Sequence, residues 1–166
     1  MCRADPDAPR AWLIDGVTVR QSTLTYHLLS ETIMHGYDIA HAARRPWRIE
    51  PTHAAMVLSR FNLAIAQAVG PRAFVNIANA AGVRATYDVR IRGGDRFHFV
   101  FDDGDLKVEE PSSRKVDCHL SVDPVAFLMV FWGRQNQWSA IAQGKLLAWG
   151  PRPWLGPQLR SLIRNP

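Results

Sequence analysis

The stretch Val125–Trp132, VAFLMVFW, constrains the fold more than any other part of the chain. Asp123 and Pro124 stand before it, an N-cap aspartate followed by a first-turn proline, and Gly133 closes it. The helix so bounded has no polar face. A surface helix is amphipathic, so this one has to be covered on every side. It is the longest apolar run in the chain and falls far short of the roughly 18 residues needed to cross a bilayer. It therefore belongs inside a globular core, and the neighbouring sequence has to supply the cover.

That cover is legible upstream, where the apolar period is two. Tyr87, Val89 and Ile91 alternate with Asp88, Arg90 and Arg92, and Gly93-Gly94 turns the chain into Phe97, Phe99 and Phe101. Asp102-Asp103-Gly104 turns it again into Leu106 and Val108. The pattern predicts a three-stranded antiparallel meander with one apolar face. A fourth strand carries Val116, Cys118 and Leu120 inward, WSAIAQ is a short helix, KLLAW a fifth strand, and Pro157–Arg164 a last helix. Proline inside that closing helix leaves its start unfixed. The fold class is α+β: a five-stranded, mainly antiparallel sheet over residues 84–149 with helix 124–132 on its apolar face.

Before residue 70 the period is helical. Leu24, Leu28, Glu31, His35 and Ile39 fall three or four apart on one face of a helix over 21–44, which Pro46 ends. Pro51 opens a second helix, with Val57, Leu58, Phe61 and Ile65 in its stripe, and Gly70-Pro71 stops it. Residues 21–69 thus form an αα-hairpin. The expected division is a helical segment over 1–70 and an α+β domain over 71–166. Residues 1–10 read as a frayed leader without an export signal, AWLIDGVTV as a strand or loop turning at Asp15-Gly16, and 76–82 as a linker or weak helix.

The formal charge is +5 and the pI about 9.8. The cations are scattered, with no aromatic-basic stripe or helix-turn-helix pattern, so nucleic acid is not an expected partner. Two cysteines, Cys2 and Cys118, make no disulfide framework and suit a reducing, cytoplasmic setting. Cys118 reads as core, and His98 and His119 as outward-facing residues without partners. There is no G-x-S-x-G elbow, P-loop or dinucleotide fingerprint.

The chemistry-bearing segment is TYHLLSETIMHGYDIA. Glu31 and His35, four apart, point the same way from adjacent turns and can share one divalent metal, with Asp38 placed to orient the imidazole. His27 and His35 lie about 12 Å apart along the axis, so both cannot bind one ion with Glu31. Glu31 and His35 interrupt the apolar stripe, and a carboxylate on a packed face is costly unless paired or metal-bound. A plain Glu–His hydrogen bond is the other reading.

The segment ETIMHGYDIAHAARRPW resembles the last bundle helix of the mycothiol-dependent maleylpyruvate isomerase family, a branch of the DinB-like four-helix bundles. The resemblance implies that Glu31 and His35 are metal ligands, of zinc for preference, with Asp38 behind His35, and that mycothiol is the thiol cofactor. The family's further histidine comes from an earlier helix, for which the roughly 20 residues before the motif leave no room. The expectation is a bundle truncated at its N-terminus.

The run VDCHLSVDPVAFLMVFWGRQNQWSAIAQGKLLAWG resembles the C-terminal half of sterol-carrier-type domains, over roughly residues 72–164. The resemblance implies a five-stranded sheet covered by helices on one face, with an apolar tunnel between the layers. Actinobacterial members of the isomerase family join a metal-binding bundle to such a domain. Here Phe97, Phe99 and Phe101 would face Phe127, Leu128 and Phe131, either around an apolar ligand or filling the space themselves. Trp132, Trp138, Trp149 and Trp154 either ring a tunnel mouth or pack.

Three functions follow. One is a metal-dependent isomerase or transferase using a thiol cofactor, incomplete in this chain. The second is a non-catalytic carrier of an apolar small molecule or lipid. The third is a subunit whose helices 21–69 need a partner, either a second copy rebuilding a four-helix bundle as a homodimer or, alternatively, a fold-back onto the sheet domain.

Overall fold

The computed structural model describes residues 5–12 and 16–164, the side chains of residues 71 and 72 excepted. Cys2, and Asp15 of the expected turn, lie outside the described residues. Strands β1 (Pro9–Ala11) and β2 (Thr18–Arg20) pair antiparallel, with Arg10 opposite Val19. Helix α1 (Gln21–Ala42) follows directly, and Arg44, at φ 53°, turns the chain out of it. The second helix begins with Pro51 in its first turn: α2 (Pro51–Met56) runs through a π-helical turn, Val57–Asn62, into α3 (Leu63–Val69). Gly70, at φ 93°, ends it. Asn76 then caps the short α4 (Ile77–Ala80).

The main sheet comprises β3 (Arg84–Ile91), β4 (Arg96–Asp102), β5 (Asp105–Glu109), β6 (Cys118–Val122) and β7 (Leu146–Trp149), in the order β5-β4-β3-β6-β7. Strands β3, β4 and β5 form the expected meander. The sheet is mixed because β6 pairs parallel to β3, with Val89 beside Leu120, while β7 pairs antiparallel to β6. The segment 110–117 crosses β4 and β3 to reach β6, and Asp117 accepts the Thr86 N–H at 2.9 Å on the way.

Helix α5 (Pro124–Phe131) is capped as its sequence dictates: the Asp123 carboxylate accepts the Ala126 N–H at 2.9 Å. Ala126, Phe127, Leu128, Met129 and Val130 are all buried. Helix α6 (Gln137–Ala142) precedes β7. Helix α7 (Leu155–Leu162) starts two residues before Pro157. Proline is tolerated there because first-turn N–H groups have no helical partner to lose. Gly156 lets α7 approach the sheet, since a Cβ there would lie 2.5 Å from that of Ala148.

Among the described residues the hairpin 21–69 forms no four-helix bundle within the chain. It folds back on the sheet unit: α1 packs on the π turn, α2 on α5, and α3 on β2 and β5. Ile33, Met34, Val57, Phe61 and Ile65 share one core with Tyr87, Phe97, Phe101, Phe127 and Leu128. The stripe on 51–69 is thus covered within the chain, by the fold-back route. The packed face of α1 also differs from the expected one. Thr23, Ser30, Ile33, Met34 and Ala40 are buried, whereas Leu28 and Ile39 are 67% and 70% exposed. Helix α1 packs against the π turn, and its buried face carries Ser30 beside Ile33 and Met34. Among the described residues no helix is long and apolar enough to cross a membrane.

Candidate functional site

Two apolar cavities lie among the helices and the inner face of the sheet. The first, about 250 Å³, takes Phe97 and Phe99 from β4, Leu106 and Val108 from β5, Phe127 and Phe131 from α5, and Trp132 just beyond it. The hairpin closes its other side with His27, Glu31, Leu58, Phe61, Asn62 and Ile65, and Trp12 and Ile163 complete the wall. The second, about 360 Å³, lies under the β6–β7 end of the sheet, against Leu120, Val122, Leu146 and Ala148, with Val130, Ile141 and Leu159 above. Phe127, Phe131 and Ile163 border both cavities.

Four of the six expected ligand-facing residues therefore meet cavity space: Phe97, Phe99, Phe127 and Phe131. Phe101 and Leu128 border neither cavity. Phe101 is 2% exposed and sets its ring edge-on to Tyr87 at 5.8 Å, and Leu128 is wholly enclosed in the core. Alternation places all three phenylalanines of β4 inward but cannot tell which faces a void. Of the four tryptophans, Trp132 lines the first cavity, while Trp138, Trp149 and Trp154 are exposed.

The α1 cluster is built differently from a metal site. Glu31 sits between two histidines: Oε1 lies 3.3 Å from His27 Nε2, and Oε2 lies 3.0 Å from His35 Nε2. His35 faces solvent, with its side chain 69% exposed. His27 turns inward, stacking on Phe61 at 4.9 Å between centroids and lying 4.7 Å from Trp12. Asp38 does not reach the His35 ring. It accepts two hydrogen bonds from Arg134, at 2.7 and 3.0 Å, and that guanidinium holds the carboxyl below the usual range. Among the described residues no group of three or more His, Cys, Asp or Glu side chains converges on a metal position. The residues present thus do not fit the metal that the isomerase resemblance implies: Glu31 is engaged on both sides, and its neighbours diverge to solvent and to the cavity.

A second polar cluster, on the outer face of the sheet, escaped sequence reasoning. Register places Asp88 between His98 on β4 and His119 on β6. The Asp88 side chain is inaccessible to solvent and accepts from Arg96 Nε at 2.6 Å, His119 Nδ1 at 2.7 Å and Arg90 Nε at 2.9 Å. Burial opposes its ionisation most strongly, but the hydrogen bonds from Arg96, His119 and Arg90 together outweigh burial and hold its pKa at about 2. His119 also stacks on Trp149, with Arg90 over the indole. His98 is fully buried without a hydrogen-bond partner, and burial lowers its pKa. The histidines read as partnerless thus include one that is partnered. Cys118 is core as expected, and burial pushes its thiol up to about 11.

Residues 72–151 match the SCP-2 sterol transfer family. Among solved structures, the chain is similar to the sterol carrier protein domain 2 of Helicoverpa armigera, at 17% identity and a TM-score of 0.47 over 72% of this chain and 98% of that one. Sterol carrier protein 2 from Yarrowia lipolytica, in its apo form, is 14% identical with a TM-score of 0.34, covering 85% of this chain and 93% of that chain. The inverting sec-alkylsulfatase Pisa1 from Pseudomonas sp. is 17% identical with a TM-score of 0.48; the match takes in 59% of this chain but only 17% of the sulfatase's length. No curated protein matches the sequence. Neither the family match over 72–151 nor the packing of residues 21–69 supports the maleylpyruvate isomerase reading.

Proposed function

We propose that this chain is a non-catalytic carrier that takes an apolar small molecule or lipid into the space between α5, the hairpin and the inner face of the sheet. The observation that carries the reading is the pair of apolar cavities meeting at Phe127, Phe131 and Ile163. Sites for small apolar molecules have this character, a largely preformed cavity with few polar groups. The sterol transfer family match over 72–151 supports the same class. In this reading the sheet unit supplies one wall and the hairpin 21–69 closes the first cavity as a cover.

The test is titration with a neutral, environment-sensitive fluorescent probe. The unaltered protein should bind it saturably, and Phe131→Trp, which adds bulk at the wall common to both cavities, should weaken binding at least roughly tenfold, the equivalent of about 1.4 kcal/mol. Thermal unfolding of the variant confirms that it is folded. Absence of saturable binding to the unaltered protein would overturn the carrier reading.

A further inference from the structure

The two edges of the main sheet differ in kind. Strand β5 carries Asp105, Lys107 and Glu109, and the turn Pro71–Phe74 and α3 pack against it. Charges and covering elements of this sort keep an edge from pairing with another chain. Strand β7, LLAW, has four residues with neither charge nor proline. It pairs with β6 on one side. On its other side, among the described residues, no backbone group of 146–149 bonds to any other segment. Leu147, Ala148 and Trp149 are exposed, and the register with Ser121 and His119 sets Leu147 and Trp149 on the outer face. Gly144 and Gly150, at φ 67° and 116°, end the extended backbone on either side.

We propose that β7 is a dimer interface whose occupant is β7 of a second copy, set antiparallel to it so that the two five-stranded sheets run on as one. A two-fold axis normal to the sheet continues outer face into outer face. With Ala148 at the axis, Leu147 of each copy stands opposite Trp149 of the other. Cross-strand side-chain pairs are the unit in which such a ladder is stabilised. Trp149 is ordered before any partner arrives, by stacking on His119 and by Arg90 over its ring, which lowers the entropy lost on docking. Helices α6 and α7 pack on β7; Trp138 on α6 and Trp154 at the start of α7 are 60% and 58% exposed, and Trp149 is 41% exposed. The three indoles together leave about 400 Å² open on each copy. Two copies, with the strand backbone between them, therefore reach the roughly 1,000 Å² at which specific interfaces begin. Pairing also stops at two, because the covered β5 offers no second edge and the assembly closes. The hairpin 21–69 takes no part, its 51–69 stripe being covered within the chain.

Sedimentation velocity of the full chain between about 1 and about 100 µM tests the proposal. The mass should rise from 18.7 kDa to twice that value and no further. Leu147→Lys puts a charge on an exposed side chain of the edge and should weaken the dimer at least roughly tenfold. Leu28→Lys, also exposed but on α1, should leave the dimer unchanged. Hydrogen exchange at the two concentrations needs no variant: protection should rise over 146–149 at the higher one. A monomer at about 100 µM overturns the proposal and directs the search to an extended segment of another protein. A dimer insensitive to Leu147→Lys, one lost with Leu28→Lys, new protection outside β7 and its flanking elements, or growth past two copies overturns it as well. None of these outcomes bears on the carrier reading, because no ligand is present in any of them.

Discussion

Replacing Asp88 by asparagine removes the charge on which three side chains converge. In the native sheet its carboxylate has no solvent exposure and accepts from Arg90, Arg96 and His119 at 2.6–2.9 Å. Asparagine keeps the shape but turns an amide N–H₂ toward donors. A folded-state pKa of about 2, against about 3.9 in the unfolded chain, makes the ionised form worth roughly 2–3 kcal/mol at pH 7. With a urea slope of about 2–3 kcal/mol/M for a chain this size, Asp88→Asn should lower the unfolding midpoint by about 1 M. The pH dependence carries the sharper signature. A carboxylate whose pKa is depressed on folding stabilises fully above its unfolded pKa, and that stabilisation fades as the pH falls through the folded value. The gap between the two proteins should therefore be complete at pH 6–7, shrink to roughly half near pH 3, and close below about pH 2. Urea titrations of both proteins at several pH values measure it. A gap unchanged between pH 7 and pH 3, or one below about 0.5 kcal/mol at pH 7, would refute the view that this ion cluster stabilises the sheet.

Other consequences are open to direct measurement. Gly156→Ala puts a methyl group 2.5 Å from Ala148 Cβ and 3.2 Å from Leu120 Cδ2, and should cost about 1–3 kcal/mol in chemical denaturation, as other overpacked contacts do. Cys118, enclosed and with its thiol raised to about 11, should resist alkylation in the native protein at pH 8 and react once urea unfolds the chain, as read by mass spectrometry of its peptide. Modification of Cys118 in the native state at the rate of a free thiol would contradict the packing of β6 under α7.

What the sequence disclosed and what it withheld divide along a physical line. Strand alternation in 87–91 and 97–101 and the uniformly apolar 125–132 are local patterns that hold whatever packs against them. They yielded the meander, the inner face and the buried helix. The face of α1 depends on what it packs against. Large side chains at Leu28 and Ile39 traced a plausible stripe, but both are exposed and the buried face includes Ser30 and Ala40, which carry little hydrophobic signal. The Glu31–His35 contact was legible from spacing alone, whereas the pairing of Asp38 with Arg134, 96 residues away, had no local trace. The Asp88 cluster was hidden for a similar reason. It depends on the parallel pairing of β3 with β6, and strand registers between distant segments leave no mark in either segment.

The π turn at Val57–Asn62 gives residue count a steering role. A continuous α-helix presents each side chain at an azimuth fixed about 100° from the last, so its two ends are locked in phase. A π turn carries one more residue than the α-turn it replaces, and so resets that phase. The two ends of 51–69 face different neighbours, α5 at one end and β2 with β5 at the other. Deleting a single residue within 57–62 lets that turn close as an α-turn and keeps the two ends in phase, whereas a deletion just after Asn62 swings everything beyond it by about 100°. A deletion at Leu63 or Ala64 would put Ala66 in the place of Ile65 on the cavity wall and Gln67 in the place of Ala66. For this helix the spacing of residues, as much as their chemistry, decides what the cavity is made of.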